Sequence, residues 1–188
     1  MKKLSFLTAI ILAVAAITVN AQTSGKLVSS KTQIKFFSST PAEDIQATNT
    51  TSVSTINKET GEVVFSVPMQ GFEFEKALMQ KHFNGEDFLN TQTFPKAKLK
   101  GKITNLDKID FSKDGTYNAT FEGELTIKEL TKPVKENGTV EVKGSVVEVQ
   151  SKFNVALADY GITFVKGKPS TNIAKTVEIT MIAEYKPE

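Results

Sequence analysis

The feature of this sequence that most constrains its fold is a strict alternation of apolar and polar residues. Over residues 117–127 the odd positions are apolar or small, and the even positions are polar or charged. The same period of two recurs over residues 96–106 and 147–157. Successive side chains of a β-strand point to opposite faces, so this period predicts strands with one buried and one solvated face.

About eight such segments follow one another, and most are separated by short turns. They cover residues 27–38, 45–56, 62–69, 96–106, 117–127, 133–143, 147–157 and 177–185. This order favours an up-and-down antiparallel barrel or a two-sheet sandwich. Several segments exceed the usual strand length of about five to six residues, and inward Gly101 and Gly123 would relieve crowding where a sheet coils. We therefore predict an all-β, eight-stranded antiparallel barrel, with the sandwich as the alternative.

One segment, around residues 72–92, interrupts the strand pattern. Phe74, Leu78 and Met79 recur at helical spacing before Gly85 breaks the run. Further on, Pro95 restricts the preceding residue to an extended conformation before the next strand begins. The pattern predicts a short helical insert, and we expect it to lie at one end of the barrel as a lid or mouth.

The first 21 residues have the composition of a secretory signal peptide. Lys2 and Lys3 precede an apolar run over residues 4–19, and small residues close the segment. The run is shorter than a membrane span requires, and no cysteine follows that could carry a lipid anchor. We predict cleavage after Ala21 and a single barrel domain over residues 22–188. The mature protein would be periplasmic or secreted, soluble, and without stable membrane insertion.

Charge and cysteine content exclude several classes of protein. Without Lys2 and Lys3 the 23 basic residues fall to 21, equal to the 21 acidic ones, and none of them is Arg. A neutral chain without Arg forks or a clustered Lys stripe is not expected to bind nucleic acid. Cysteine is absent, so stability must come from a packed core, and twelve of the 13 Phe lie in the predicted mature chain.

Three short motifs occur in a characteristic order. They are His82-Phe83 through Phe88 to Phe94-Pro95-Lys96-Ala97, then Gly123-Glu124-Leu125-Thr126-Ile127-Lys128 with Leu130-Thr131-Lys132-Pro133-Val134, and finally Asp159-Tyr160-Gly161-Ile162. Together with the strand spacing, these motifs resemble the YceI-like family of secreted lipid-binding proteins with a lipocalin-like barrel. Two departures stand out: Met79 occupies a position where many members have Arg, and Glu129 one where many have Gly.

The resemblance implies binding of a long apolar lipid, of the polyisoprenoid or isoprenoid quinone type, inside the barrel. It implies no catalysis and no cofactor, and it leaves a homodimer open. Because Met79 stands where many members have Arg, a polar head-group contact made by that Arg is not expected to be shared by this chain. We predict that the ligand is contacted by inward or insert residues, namely Phe36, Phe65, Met69, Phe72, Met79, His82, Phe83, Phe88, Phe94, Tyr117, Phe121, Leu125, Phe153, Leu157 and Tyr160.

Polar residues give little support to an enzyme. His82 is the only histidine, so neither a histidine-based metal site nor a Ser-His-Asp triad has its usual partners. A lone His near Glu86 and Asp87 on a turn more often belongs to a local hydrogen-bond network, and contact with a ligand head group is the sharper alternative. Glu122 and Glu124 share a strand face, and a solvated face explains them better than a catalytic pair.

The main rival is a filled barrel without a small ligand, serving a structural or protein-interaction role. An eight-stranded barrel is near the size at which side chains either fill the interior or leave room for one ligand. The sequence leaves both interpretations open.

Overall fold

A computed structural model describes residues 25–163 and 173–188. The predicted signal peptide and a predicted loop at residues 166–170 lie outside the described residues. In the described part, no helix combines the length and the apolar character needed to cross a membrane.

The described residues form ten strands and one α-helix. The strands are β1 (Lys26–Ser39), β2 (Asp44–Asn49), β3 (Val53–Asn57), β4 (Glu62–Pro68), β5 (Phe72–Phe74), β6 (Lys96–Ile103), β7 (Gly115–Ile127), β8 (Leu130–Lys143), β9 (Val146–Ala156) and β10 (Thr176–Pro187), and the helix is α1 (Ala77–Asn84). All strand pairs are antiparallel, and the sheet closes because β1 pairs with β10.

The closed sheet is an eight-stranded barrel, as predicted. β2 and β3 pair with opposite ends of β1, and they pair in turn with β5 and β4. β2 and β3 together therefore form one barrel strand with an interruption, and β4 and β5 together form the next. A single sheet that closes on itself rules out the two-sheet sandwich.

The interruptions meet at a buried asparagine. The Asn49 side-chain amide donates to the Pro68 carbonyl at 2.7 Å, and its oxygen accepts from the Thr51 N–H and the Ser52 hydroxyl, both at 2.9 Å. An asparagine that bonds neighbouring backbone competes with the sheet ladder. The prediction of one continuous strand over residues 45–56 is therefore wrong, because β2 ends at Asn49 and β3 begins only at Val53.

The inward faces follow the predicted alternation. Along β6 the lysines are exposed and the intervening residues are partly or fully buried. Gly101 and Gly123 are direct cross-strand partners. A Cβ atom on either glycine would collide with the backbone of the neighbouring strand and with the ring of Phe121. The two glycines thus allow β6 and β7 to approach closely, as expected from their inward positions.

The barrel end opposite the insert, here called the closed end, is filled with side chains. Its most buried members are Leu27, Ile56, Val140, Val142, Val147, Ala183 and Tyr185, none more than 3% exposed. The Tyr185 hydroxyl lies 2.7 Å from the Ser54 hydroxyl, which supplies a partner for this buried polar group. Burial raises the pKa of Tyr185, so its phenol stays neutral.

The helical insert is confirmed, although the helix occupies only part of it. Phe72 and Phe74 alternate with polar residues, and this period of two places them in β5 rather than in a helix. Helix α1 ends at Asn84, and the following Gly85 donates to the His82 carbonyl at 3.1 Å. The returning chain bonds to the helix end, because the Thr91 hydroxyl donates to the Asn84 side chain at 2.9 Å.

Candidate ligand-binding cavity

A cavity of about 130 Å³ lies inside the barrel beneath the insert. All the described side chains that line it are apolar. Nine of them are predicted ligand contacts: Phe36, Phe65, Met69, Phe72, Phe83, Phe88, Leu125, Phe153 and Leu157. The cavity therefore offers a ligand dispersion contacts and removal from water, but no hydrogen bond from these side chains.

Five phenylalanines close the insert end of this cavity. Phe83 is the buried residue of α1. Its ring centroid lies 5.0 Å from that of Phe74, 5.4 Å from Phe72, 5.9 Å from Phe36 and 6.0 Å from Phe88. These distances fall in the range of attractive aromatic pairs. The helix thus positions Phe83 at the centre of an aromatic cluster made of these five rings.

An outer cleft of about 370 Å³ lies on the other side of the aromatic cluster. It shares Phe36, Phe83 and Phe88 with the inner cavity, and its wall includes Met79 and His82. These shared rings therefore separate the interior from the cleft. His82 is exposed, and the described residues provide no hydrogen bond or ion pair to its imidazole.

A smaller space of about 50 Å³ continues from the cavity toward the closed end. The two spaces share Phe65, Leu99, Phe153 and Met181. Phe121, another predicted contact, lines this deeper space. The cavity, the cleft and the deeper space, which hold these predicted contacts, are therefore neighbouring spaces that share parts of their walls.

Three predicted contacts line none of these spaces. The Phe94 ring packs against the Lys128 ammonium, 5.7 Å from its centroid. The Tyr117 hydroxyl donates to the Lys113 carbonyl at 2.9 Å, near the start of β7. Tyr160 is buried in a 3-10 helical turn over residues 157–160.

The lining residues of the cavity that the sequence-based prediction missed have aliphatic side chains. They are Ile34, Val67, Leu89, Ala97, Leu99, Ile127, Val155, Ile162, Ile173, Val177, Ile179 and Met181. Those on strands share the inward parity of predicted contacts, so the alternation could have identified them. Leu89, Ile162 and Ile173 lie outside regular strands, where no period marks them.

The described residues contain no group of three or more His, Asp or Glu side chains arranged to hold a metal ion. His82 lies in the cleft with Glu86 and Asp87, yet it belongs to no such group.

The sequence profile of the YceI-like domain matches residues 14–185. No curated protein matches the sequence.

Several solved structures share the fold. A polyisoprenoid-binding domain from Saccharophagus degradans, implicated in plant cell wall breakdown, is 12% identical with a TM-score of 0.72, and the match covers 86% of this chain and 98% of that one. Burkholderia cenocepacia BcnA is 16% identical with a TM-score of 0.66, over 81% and 95%. The YCEI protein of Campylobacter jejuni is 11% identical with a TM-score of 0.58, over 73% and 81%. At such identities the likeness concerns the fold alone.

Proposed function

This chain belongs to the YceI-like domain family, and from that premise we propose that it carries a long apolar lipid of the polyisoprenoid or isoprenoid quinone type within its barrel. The carrier would be periplasmic or secreted after removal of residues 1–21. It would act by binding and not by catalysis.

The apolar lining of the inner cavity is the observation that carries this proposal. A polar ligand would lose its hydrogen bonds to water there without replacement by the described side chains, which is unfavourable by several kcal/mol. An isoprenoid chain would lose only apolar contact with water. Burial of about ten methylene equivalents at roughly 0.8 kcal/mol each would supply about 8 kcal/mol before ordering costs, and a longer buried stretch of the chain would supply more.

The ligand would occupy more than the inner cavity. The volume of the inner cavity, about 130 Å³, is close to that of an engineered cavity of about 150 Å³ that holds benzene. The inner cavity therefore accommodates only part of a long chain. Rotation of the half-buried Phe88 ring would join the cavity to the outer cleft. The lipid would then extend from the deeper space to the cleft, with the aromatic cluster around its middle.

The experiment that tests this route is the substitution Phe88→Asp, with Leu78→Asp as its matched control. Leu78 lies on the adjacent helix and is 63% exposed, away from the cavity. The purified variants are titrated with geranylgeraniol, and their unfolding is followed in urea. For Phe88→Asp we expect an affinity about tenfold lower or worse, because a charge in the passage must lose water when an apolar chain passes.

Leu78→Asp should leave the affinity unchanged. Equal affinities in wild type and both variants, with all three proteins folded, would contradict the proposed route past Phe88.

A further inference from the structure

An acidic residue, Glu136, faces the inside of the barrel. It lies on β8 directly opposite Phe121 of β7, and both side chains line the deeper space. The adjacent residue Lys135 faces outward, where its ammonium pairs with Glu122 at 2.6 Å. Because neighbouring residues of a strand point to opposite faces, this outer ion pair confirms the inward direction of Glu136.

The surroundings of Glu136 are unusual for a carboxylate. Val134, Phe121 and Phe153 line the same space, and Asn137 and Ser151 are its other polar residues. No hydrogen bond or ion pair to Glu136 occurs among the described residues, and it is the only charged side chain there that lines the cavity or the deeper space. Partial burial raises the pKa of its carboxyl group.

The sheet is split beside this residue. Pairing between β8 and β9 extends from Lys143 opposite Val146 only as far as Gly138 opposite Ser151. The Ser151 hydroxyl then donates to the Asn137 carbonyl at 2.8 Å, which closes the last step. Glu136 is the next residue of β8, so its carboxylate lies at the point where the two strands separate and remains partly exposed.

We propose that Glu136 is a ligand-contacting residue whose carboxylate accepts a hydrogen bond from a hydroxyl group on the otherwise apolar ligand. The inference rests on the proposed carrier function and adds the chemistry of the ligand's polar end. That end would point toward the closed end, with the apolar chain in the cavity and the cleft.

The same carboxylate defines what the site rejects. An ionised carboxylate accepts hydrogen bonds but cannot donate them, and it repels a second negative charge at short range. A polyisoprenol or the quinol form of an isoprenoid quinone, each with an O–H donor, would be favoured at this position, whereas a phosphate or carboxylate head would be disfavoured. The opposing interpretation is that Glu136 contacts only water at the split and takes no part in binding.

Two ligands of equal chain length separate these interpretations: geranylgeraniol and its methyl ether, which lacks the O–H donor. Both are titrated into the wild-type protein, Glu136→Leu and the control Glu124→Gln, which alters an exposed carboxylate on β7. Wild type should bind the alcohol about tenfold more tightly than the ether, the usual scale for a hydrogen bond to a charged group. Glu136→Leu should lose this preference but still bind the ether, and Glu124→Gln should keep the preference.

The stability of Glu136→Leu gives a second readout. Because the substitution removes a partly desolvated charge from an apolar space, its melting temperature should equal or exceed that of wild type. If the leucine variant does not fold, Glu136→Gln takes its place. This substitution keeps the size of the side chain but removes the charge, and it should reduce the preference for the alcohol over the ether.

The possible results are distinct. An alcohol preference that persists in Glu136→Leu and Glu136→Gln would overturn the role of Glu136 and leave the carrier function standing. So would equal binding of the two lipids by wild type. Failure of wild type to bind either lipid would overturn the carrier function, and the inference about Glu136 would fall with it.

Discussion

The two ends of this barrel are built from the same alternating strands but packed in opposite ways. At the closed end, Leu27, Val142 and Tyr185 are at most 1% exposed, and the Tyr185 hydroxyl has a partner in Ser54. At the insert end, the inward side chains surround a cavity of about 130 Å³. A barrel of eight strands is near the limit between filled and hollow, and this chain has both conditions in one molecule.

This difference separates stability from binding. Leu27, Val142 and Tyr185 at the closed end are almost fully buried and line none of the spaces, so they contribute the dispersion and burial that hold the sheet together. Side chains around the cavity have an open side, where a ligand would supply the missing contacts. The filled-barrel interpretation therefore describes the closed end, and the carrier interpretation describes the insert end.

The largest expected effect comes from shortening a side chain at the closed end. Leu27→Ala should lower the free energy of unfolding by about 2–5 kcal/mol, because Leu27 is 1% exposed and lines none of the spaces, so the substitution creates a new void. The half-buried Ile179 lines the cavity, so Ile179→Ala enlarges an existing space. This substitution should lower the free energy of unfolding by only about 1–2 kcal/mol. Urea denaturation of both variants without lipid measures the difference. Equal losses would contradict the contrast between the two ends.

A smaller effect should follow from disrupting the junction between the ends. Asn49→Ala removes the amide that holds the Pro68 carbonyl and the break between β2 and β3, and we expect a loss of about 1–3 kcal/mol for the unsatisfied buried groups. The control is Asn118→Ala, because Asn118 is exposed on β7. A change below about 0.5 kcal/mol is typical of such surface sites. If the two variants unfold at the same urea concentration, Asn49 does not organise the junction.

Much of the fold could be predicted because alternation is a local signal. Each of the eight barrel strands carries its own period of two, and each strand face was assigned correctly along β6 and β7. The interruption at Asn49 could not be predicted in the same way. Its side chain bonds to Pro68, which is distant in the sequence, and the polar residues around it have the composition of a strand.

The cavity was predicted in outline and not in detail. Most of the predicted ligand contacts are aromatic residues. The majority of them line the cavity, the cleft or the deeper space, but Phe94, Tyr117 and Tyr160 do not. An aromatic residue is equally suited to packing on a surface lysine, as Phe94 does with Lys128. Glu136 escaped notice because a charged residue on a strand is usually solvated, although its parity with Val134 already indicated an inward position.

Whether the barrel carries a lipid can be measured by native mass spectrometry of the mature protein, purified from its own compartment without detergent. We expect a complex heavier than the polypeptide by one long-chain lipid in near-stoichiometric amount. Organic extraction should release a polyisoprenoid or an isoprenoid quinone. An empty protein that also refuses geranylgeraniol and every longer isoprenoid added to it would contradict the account and favour the filled barrel.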